Sequence, residues 1–175
     1  AEALLRNVMR NARLALQKPA DYDVRAEIMW AGTLSHNDIT GDRSQGDWAS
    51  HQLEHELGGM FDIAHGAGLA AIWGSWARYV LKQNPCRFAQ LAVNVLNVPY
   101  SFGNDEKTAL EGIAAMEDFF RSIGMPTSIS DMEIELTDTQ IKELAHKCSF
   151  MGRRTIGGFV TLNAADMENI YRMAR

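Results

Sequence analysis

Residues 46–70 read GDWASHQLEHELGGMFDIAHGAGLA. The apolar residues of this stretch recur at helical spacing and do not alternate strictly, which predicts helices rather than strands. We predict one helix over residues 48–57, ended by Gly58 and Gly59, and a second helix that begins near His65. The stretch therefore predicts two helices with a break between them.

The same helical spacing continues on both sides of this stretch. Residues 37–47 are the exception, and we predict a loop there because Asn, Asp, Thr, Ser and Gly dominate them. The second helix of this stretch is predicted to extend over residues 65–82, and the other predicted helices cover residues 2–17, 24–35, 86–97, 105–122, 137–148 and 163–175. We therefore expect an all-α, bundle-like fold of many helices, and a single domain over residues 1–175, since domains have ~100 to 200 residues.

The composition excludes several classes of protein. Of the 175 residues, 46% are hydrophobic and 22% are charged, and the net charge is −5, which excludes a disordered chain and argues against nucleic acid as a partner. No apolar stretch reaches the ~20 residues that a membrane span requires, and no signal peptide is recognised. The two cysteines, Cys86 and Cys148, suit neither a disulfide framework nor a zinc ribbon. We therefore expect a cytoplasmic protein that contacts no membrane.

Three of the five histidines, His51, His55 and His65, fall close together in the sequence. On a helix, His51 and His55 share a face and could reach one ion or one substrate atom. His65 would lie ~21 Å from His51 along a straight helix, so it can join them only if the helix breaks at Gly58-Gly59. Because imidazole both binds metals and transfers protons near neutral pH, the cluster predicts a metal site, a proton relay, or simply polar positions on amphipathic helices.

A different interpretation comes from His51, Glu54 and His55, which fit the His-x-x-Glu-His pattern of inverted zinc peptidases. In those enzymes the two histidines bind zinc and the glutamate activates a water molecule. A third ligand from a later helix would be needed, and Glu111 and Glu117 are the candidates. A zinc peptidase and a helical module without a metal therefore stay open as alternatives.

Two further matches have simpler structural explanations. Gly66-Ala67-Gly68 and Ala71 fit a loose dinucleotide-binding fingerprint, but no strand is predicted before them, so close packing of helices explains the glycines better. Asp47 lies four residues before His51, yet its place just before a helix predicts that it caps that helix. We assign neither match a catalytic role.

The segment around the histidines resembles the iron-containing (group III) alcohol dehydrogenase family. That family carries a His-x3-His-x9-His-Gly pattern in its helical C-terminal domain, and both spacings and the glycine are reproduced by His51, His55, His65 and Gly66. The residues that flank the histidines are most similar to the butanol dehydrogenase and aldehyde reductase branch. Two later segments, FFRSIGMPT at residues 119–127 and TIGGF at residues 155–159, extend the resemblance over essentially the whole chain.

The resemblance implies a role for each histidine. His51 and His65 would be two of four ligands of a divalent ion, Fe(II) or Zn(II), while an Asp and a His of a preceding segment would be the other two. His55 would lie beside the nicotinamide and the substrate without binding the metal, and would relay the hydroxyl proton. The ion would act as a Lewis acid on the alcohol or aldehyde oxygen while hydride passes to or from NAD or NADP.

The resemblance also implies a domain organisation. The chain would be the C-terminal domain of a dehydroquinate-synthase-like, iron alcohol dehydrogenase fold, and the residues that bind the dinucleotide would lie in an N-terminal domain absent before Ala1. The substrates would be primary alcohols and aldehydes such as butanol and butyraldehyde. We expect the 175-residue chain to be inactive by itself and the complete enzyme to be a homo-oligomer.

Overall fold

The computed structural model describes residues 1–41 and 46–175, and in these ranges it contains eight α-helices and no β-strand, which confirms the predicted all-α fold. The helices are α1 (Glu2–Gln17), α2 (Tyr22–His36), α3 (Ala49–Phe61), α4 (His65–Val80), α5 (Pro85–Leu96), α6 (Asp105–Ser122), α7 (Asp138–Cys148) and α8 (Ala164–Ala174). Two 3₁₀ turns, Leu81–Gln83 and Ser130–Met132, and an isolated bridge between Ile156 and Leu162 complete the secondary structure. Among the described helices, none has the length and apolar character that crossing a membrane would demand.

Capping side chains fix the beginnings of three helices, which lie within two residues of the predicted starts. Asp21 accepts hydrogen bonds from the first free N–H groups of α2. Thr137 and Gln140 form a reciprocal capping box at α7, and Asn163 and Asp166 form another at α8. Such caps replace the partners that the first N–H groups of a helix lack, so they hold these helix starts in place.

The helices form two compact units. The first unit consists of Ala1–Gly46 and Pro85–Ile123 and contains α1, α2, α5 and α6. In it α1 packs against α2 and α5. The closest packing is between α5 and α6, where a Cβ atom added to Gly112 would lie only 2.4 Å from the Cβ of Ala92.

The second unit consists of Asp47–Asn84 and Gly124–Arg175 and contains α3, α4, α7 and α8. In it α3 packs against α4 and α7, and α8 packs against α4 and α7. The fully buried side chains of this unit include Leu53, Leu57, Ile72, Ile141, Leu144, Met167, Ile170 and Tyr171. This core supports α3 and α4, which carry the three clustered histidines. The expectation of a single domain over residues 1–175 stays a prediction.

The end of α3 differs from the prediction. The helix continues through Gly58 and Gly59 to Phe61, and the chain leaves it at Asp62, which adopts the left-handed conformation with φ 51°. The Asp62 N–H donates to the carbonyl of Gly58 at 2.8 Å. A glycine inside a helix costs only ~1 kcal/mol, which the burial of Leu57 on the same turn offsets. The prediction that Gly58-Gly59 end the helix is therefore wrong, and the break lies at residues 62–64.

The predicted loop at residues 37–47 is only partly described. Residues 37–41 and 46–47 lie outside the helices, as predicted, while residues 42–45 lie outside the described residues. The chain leaves α2 through Asn37, whose N–H donates to the carbonyl of Thr33, and Asp38 then takes a positive φ of 57°. Local turn geometry therefore ends α2.

Candidate metal centre

The three clustered histidines meet where α3 and α4 adjoin. His51 and His55 lie on α3, and His65 is the first residue of α4. The ring centroid of His65 lies 5.4 Å from that of His51 and 5.4 Å from that of His55, and the two α3 rings are 6.4 Å apart. The break at residues 62–64 therefore brings together the three imidazoles that the sequence singled out, although it lies beyond the glycines expected to supply it.

A buried carboxylate lies behind His65. Glu54 is on α3, its side chain is only 2% exposed, and its Oε2 is hydrogen-bonded to Nδ1 of His65, whose own side chain is 52% exposed. The sequence pattern suggests Glu54 only as the water-activating residue of a peptidase and does not predict its pairing with His65. The His-x-x-Glu-His spacing draws attention to Glu54, but the partner of its carboxylate is the third histidine and not the two in the pattern.

Hydrogen bonds from distant residues hold α3 in place. Asp47 accepts from the N–H of Ala49 through Oδ1 and from the N–H of Phe159 through Oδ2, each at 2.8 Å. Asp47 lies one residue before the N-cap, Trp48, and so is not the predicted cap, but its carboxylate binds the first N–H group of α3 and ties the start of this helix to the C-terminal segment. In the core, the hydroxyl of Tyr171 donates to the carbonyl of Leu53 at 2.6 Å. These contacts fix the helix that presents His51 and His55.

The face that carries the imidazoles is open to solvent. His55 and His65 are exposed, and His51 is half-buried. Trp48 is 59% exposed and packs edge-on against His51, with 5.0 Å between ring centroids. Two of the three rings can therefore be reached by a small molecule or an ion from outside this unit.

The chemistry of these donors fits a divalent metal ion. One ligand atom from each of Glu54, His55 and His65 lies within 4.8 Å of the others. His51 is as near to His65 as His55 is, by ring centroids. Imidazole nitrogens are common ligands of zinc and iron, and a carboxylate on the second nitrogen is the usual support of such a ligand.

The other candidate residues lie elsewhere. Glu111 and Glu117, considered as third ligands for a peptidase, are on α6 in the first unit, where Glu111 pairs with Lys107 at 4.0 Å. A Cβ on Gly68 would lie 2.7 Å from Cγ of Glu54, so close packing accounts for this glycine of the loose dinucleotide fingerprint. No strand precedes these glycines in the described part of the chain.

Comparisons with known proteins agree with the fold and with the family resemblance of the sequence. The sequence model described as "Fe-containing alcohol dehydrogenase family, C-terminal" matches residues 1–175. The probable NADH-dependent butanol dehydrogenase 1 of Bacillus subtilis is 36% identical over 171 residues, which are 98% of this chain and 43% of that protein. The NADPH-dependent aldehyde reductase of Escherichia coli is 31% identical over 175 residues, 100% of this chain and 44% of its own length.

Solved structures lead to the same family. The crystal structure of NADH-dependent butanol dehydrogenase A from Thermotoga maritima has a TM-score of 0.90 and 29% identity, and the match covers 99% of this chain and 44% of that one. This chain thus spans less than half the length of the relatives that it matches. The chain belongs to the Fe-containing alcohol dehydrogenase family and corresponds to its C-terminal part.

Proposed function

We propose that this chain is the metal-binding part of an NAD(P)-dependent alcohol dehydrogenase or aldehyde reductase that acts on primary alcohols and aldehydes such as butanol and butyraldehyde. The observation that carries the proposal is the convergence of His51, His55 and His65, with ring centroids 5.4 to 6.4 Å apart, on one open face. Family membership and the names of the relatives, butanol dehydrogenases and an aldehyde reductase, support this reaction over peptide hydrolysis.

In this proposal His51 and His65 hold the ion, Fe(II) or Zn(II). When bound, the ion supplies Lewis-acid polarisation of the substrate oxygen. His65 would use Nε2, because its Nδ1 is hydrogen-bonded to Glu54. A preceding nucleotide-binding part would supply the remaining ligands and hold NAD or NADP.

His55 has a different role, the transfer of the hydroxyl proton. It lies on the same face as the two proposed ligands, with its ring centroid 5.4 Å from that of His65, and it is exposed. Imidazole side chains exchange protons near neutral pH, which suits a group between a substrate hydroxyl and solvent. In alcohol oxidation His55 would carry the hydroxyl proton to water, and NAD or NADP, when bound, would supply the acceptor for the hydride. In aldehyde reduction both move in the opposite direction.

The peptidase interpretation lacks comparable support. It needs Glu54 to activate a water molecule beside His51 and His55. The Glu54 carboxylate is instead buried and hydrogen-bonded to His65. A buried, paired carboxylate has little freedom to accept a proton from a water molecule on the open face.

The direct test uses this chain joined to the N-terminal part of the Bacillus subtilis relative, here called the joined enzyme. We expect the joined enzyme to oxidise NADH or NADPH when butyraldehyde is added, to lose this activity on chelation, and to regain it with Fe(II) or Zn(II). The chain alone should show no turnover. A joined enzyme that is folded and binds both metal and NADH, yet reduces no aldehyde, would contradict the proposal.

A further inference from the structure

Glu54 is the most buried charged side chain near the histidines. Its exposure is 2%, and it lies on α3, facing the start of α4. Removing a carboxylate from water costs several kcal/mol unless a donor compensates for the loss. The donor group that the structure provides is Nδ1 of His65. The burial of the Glu54 carboxylate against His65 therefore indicates that the hydrogen bond between them has a role.

The residues around the Glu54 carboxylate pack closely against it. A Cβ added to Gly68 on α4 would lie 2.7 Å from Cγ and 2.9 Å from Oε1 of Glu54. A Cβ added to Gly58, one turn further along α3, would lie 3.1 Å from the same Oε1. The side chain of Ile63 closes the same space, with its Cδ1 2.9 Å from the Gly68 Cβ position. Two glycines and an isoleucine thus enclose the carboxylate and confine it to the position from which it reaches His65.

We propose that Glu54 is a positioning residue for His65. By accepting a hydrogen bond from Nδ1–H, its carboxylate fixes the tautomer of the His65 ring that carries its proton on Nδ1. The lone pair is then on Nε2, which is the nitrogen available to a ligand on the open face. Carboxylates that act in this way orient a metal-binding histidine and raise its basicity.

The consequence for metal binding rests on the proposed function, whereas the tautomer of His65 does not. Without Glu54, the ring would be free to rotate and to exchange between its two tautomers. Part of the population would then present a protonated nitrogen to the ion. Loss of such a supporting carboxylate typically lowers metal affinity ~10- to 100-fold.

The first experiment measures the tautomer by long-range proton–nitrogen NMR of the histidine-labelled, metal-free chain. We expect the His65 signals to report the Nδ1–H tautomer, and we expect Glu54→Ala to give a mixture of both tautomers. Glu54→Gln, whose amide oxygen can still accept the bond, should restore the Nδ1–H form. The matched control is Glu56→Gln, which removes the same charge from α3 and should leave the His65 signals unchanged. An unchanged His65 tautomer in Glu54→Ala would overturn the proposal.

The second experiment titrates Zn(II) into the same variants and follows the histidine signals. Glu54→Ala should bind Zn(II) ~10- to 100-fold more weakly than the parent chain, and Glu56→Gln should bind it equally well. A tautomer change with unchanged affinity would refute the link between Glu54 and metal binding. If the joined enzyme binds no Zn(II) but Glu54→Ala still changes the tautomer in the chain alone, the positioning role stands and the proposed metal function fails. Circular dichroism of each variant checks that the helices are intact.

Discussion

Two glycines near the histidines differ in what surrounds them, although both lie inside helices. Gly59 on α3 has open space around its missing side chain, with no heavy atom within 4 Å of an added Cβ. Gly68 on α4 has no such space, because Glu54 and Ile63 fill it. Gly59 therefore only lowers the stability of its helix, whereas Gly68 is needed because a larger residue would not fit beside Glu54 and Ile63.

Alanine substitutions should separate these two roles. Gly68→Ala should lower the free energy of unfolding by ~1 to 3 kcal/mol, because the new methyl group displaces Glu54 or Ile63. Gly59→Ala should raise it by ~0.5 to 1 kcal/mol, because alanine loses less backbone entropy in a helix. Urea denaturation followed by circular dichroism measures both. Equal stability of Gly68→Ala and the parent chain would show that α4 does not approach Glu54 as closely as described.

The two cysteines offer a second test at the scale of single side chains. Cys148 is buried, and burial raises the pKa of its thiol to about 11, whereas Cys86 is exposed. Because the thiolate is the reactive form, Cys148 should stay protonated and unreactive at pH 8. A thiol reagent should therefore modify one cysteine in the native chain and both after unfolding. Cys86→Ser should abolish the native reaction, and rapid modification of that variant would contradict the burial of Cys148.

The residues of the site were only partly predictable from the sequence. Local spacing identified His51, His55 and His65, and the need for a helix break before His65 could join them. Spacing alone would make His51 and His55 equivalent ligands, and only the family resemblance assigns them different roles. The pairing of Glu54 with His65 was not predictable, because it depends on the angle at which α4 leaves the break.

At the scale of elements, α3 depends on contacts far away in the sequence. Its N-terminal end is held by Asp47, which also accepts a hydrogen bond from the N–H of Phe159. Periodicity and capping rules predicted where the helices begin, because those signals are local. They misplaced the end of α3 at Gly58, since the packing that favours its last turn comes from other parts of the chain. The hydrogen bond from the N–H of Phe159 to Asp47 could not be predicted, because the two residues are far apart in the sequence.

Asp47→Ala should destabilise the second unit by ~1 to 3 kcal/mol, because two backbone N–H groups lose a charged acceptor. The matched control is Asp62→Asn, at an exposed position whose left-handed conformation asparagine also tolerates. That control should change stability by no more than ~0.5 kcal/mol. Thermal or urea unfolding gives both values. Equal effects of the two substitutions would mean that the Asp47 contacts do not hold α3.

At the scale of the whole molecule, the chain exposes several large apolar side chains. On α2, Tyr22, Met29 and Trp30 are 81%, 71% and 62% exposed, and Trp48 beside the histidines is 59% exposed. Exposed apolar groups of this kind promote association. The all-α class was predictable from the sequence because helical spacing recurs along the chain. The division into two compact units was not, because it depends on which helices pack together.

We expect the chain to self-associate in a concentration-dependent manner. Sedimentation at concentrations up to ~1 mM should give an average mass above that of the monomer. Trp30→Glu should weaken the association, because it places a charge on the apolar face of α2. Met173→Glu, which places the same charge on an exposed apolar residue of α8 in the second unit, is the matched control. A single monomeric species at every concentration would refute this expectation.

The metal content of three alanine variants of the joined enzyme tests which of the three histidines bind the metal. His51→Ala and His65→Ala each remove a proposed ligand, so bound metal should fall and excess Fe(II) or Zn(II) should partly restore turnover. His55→Ala should retain its metal and lose rate by ~10²-fold, as is typical when a general acid or base is removed. Elemental analysis of the purified variants, combined with aldehyde-dependent NADH or NADPH oxidation, measures both quantities. We expect metal loss in His51→Ala and His65→Ala only. Metal loss in His55→Ala equal to that in His51→Ala, with metal retained in His65→Ala, would contradict the proposed roles of the histidines.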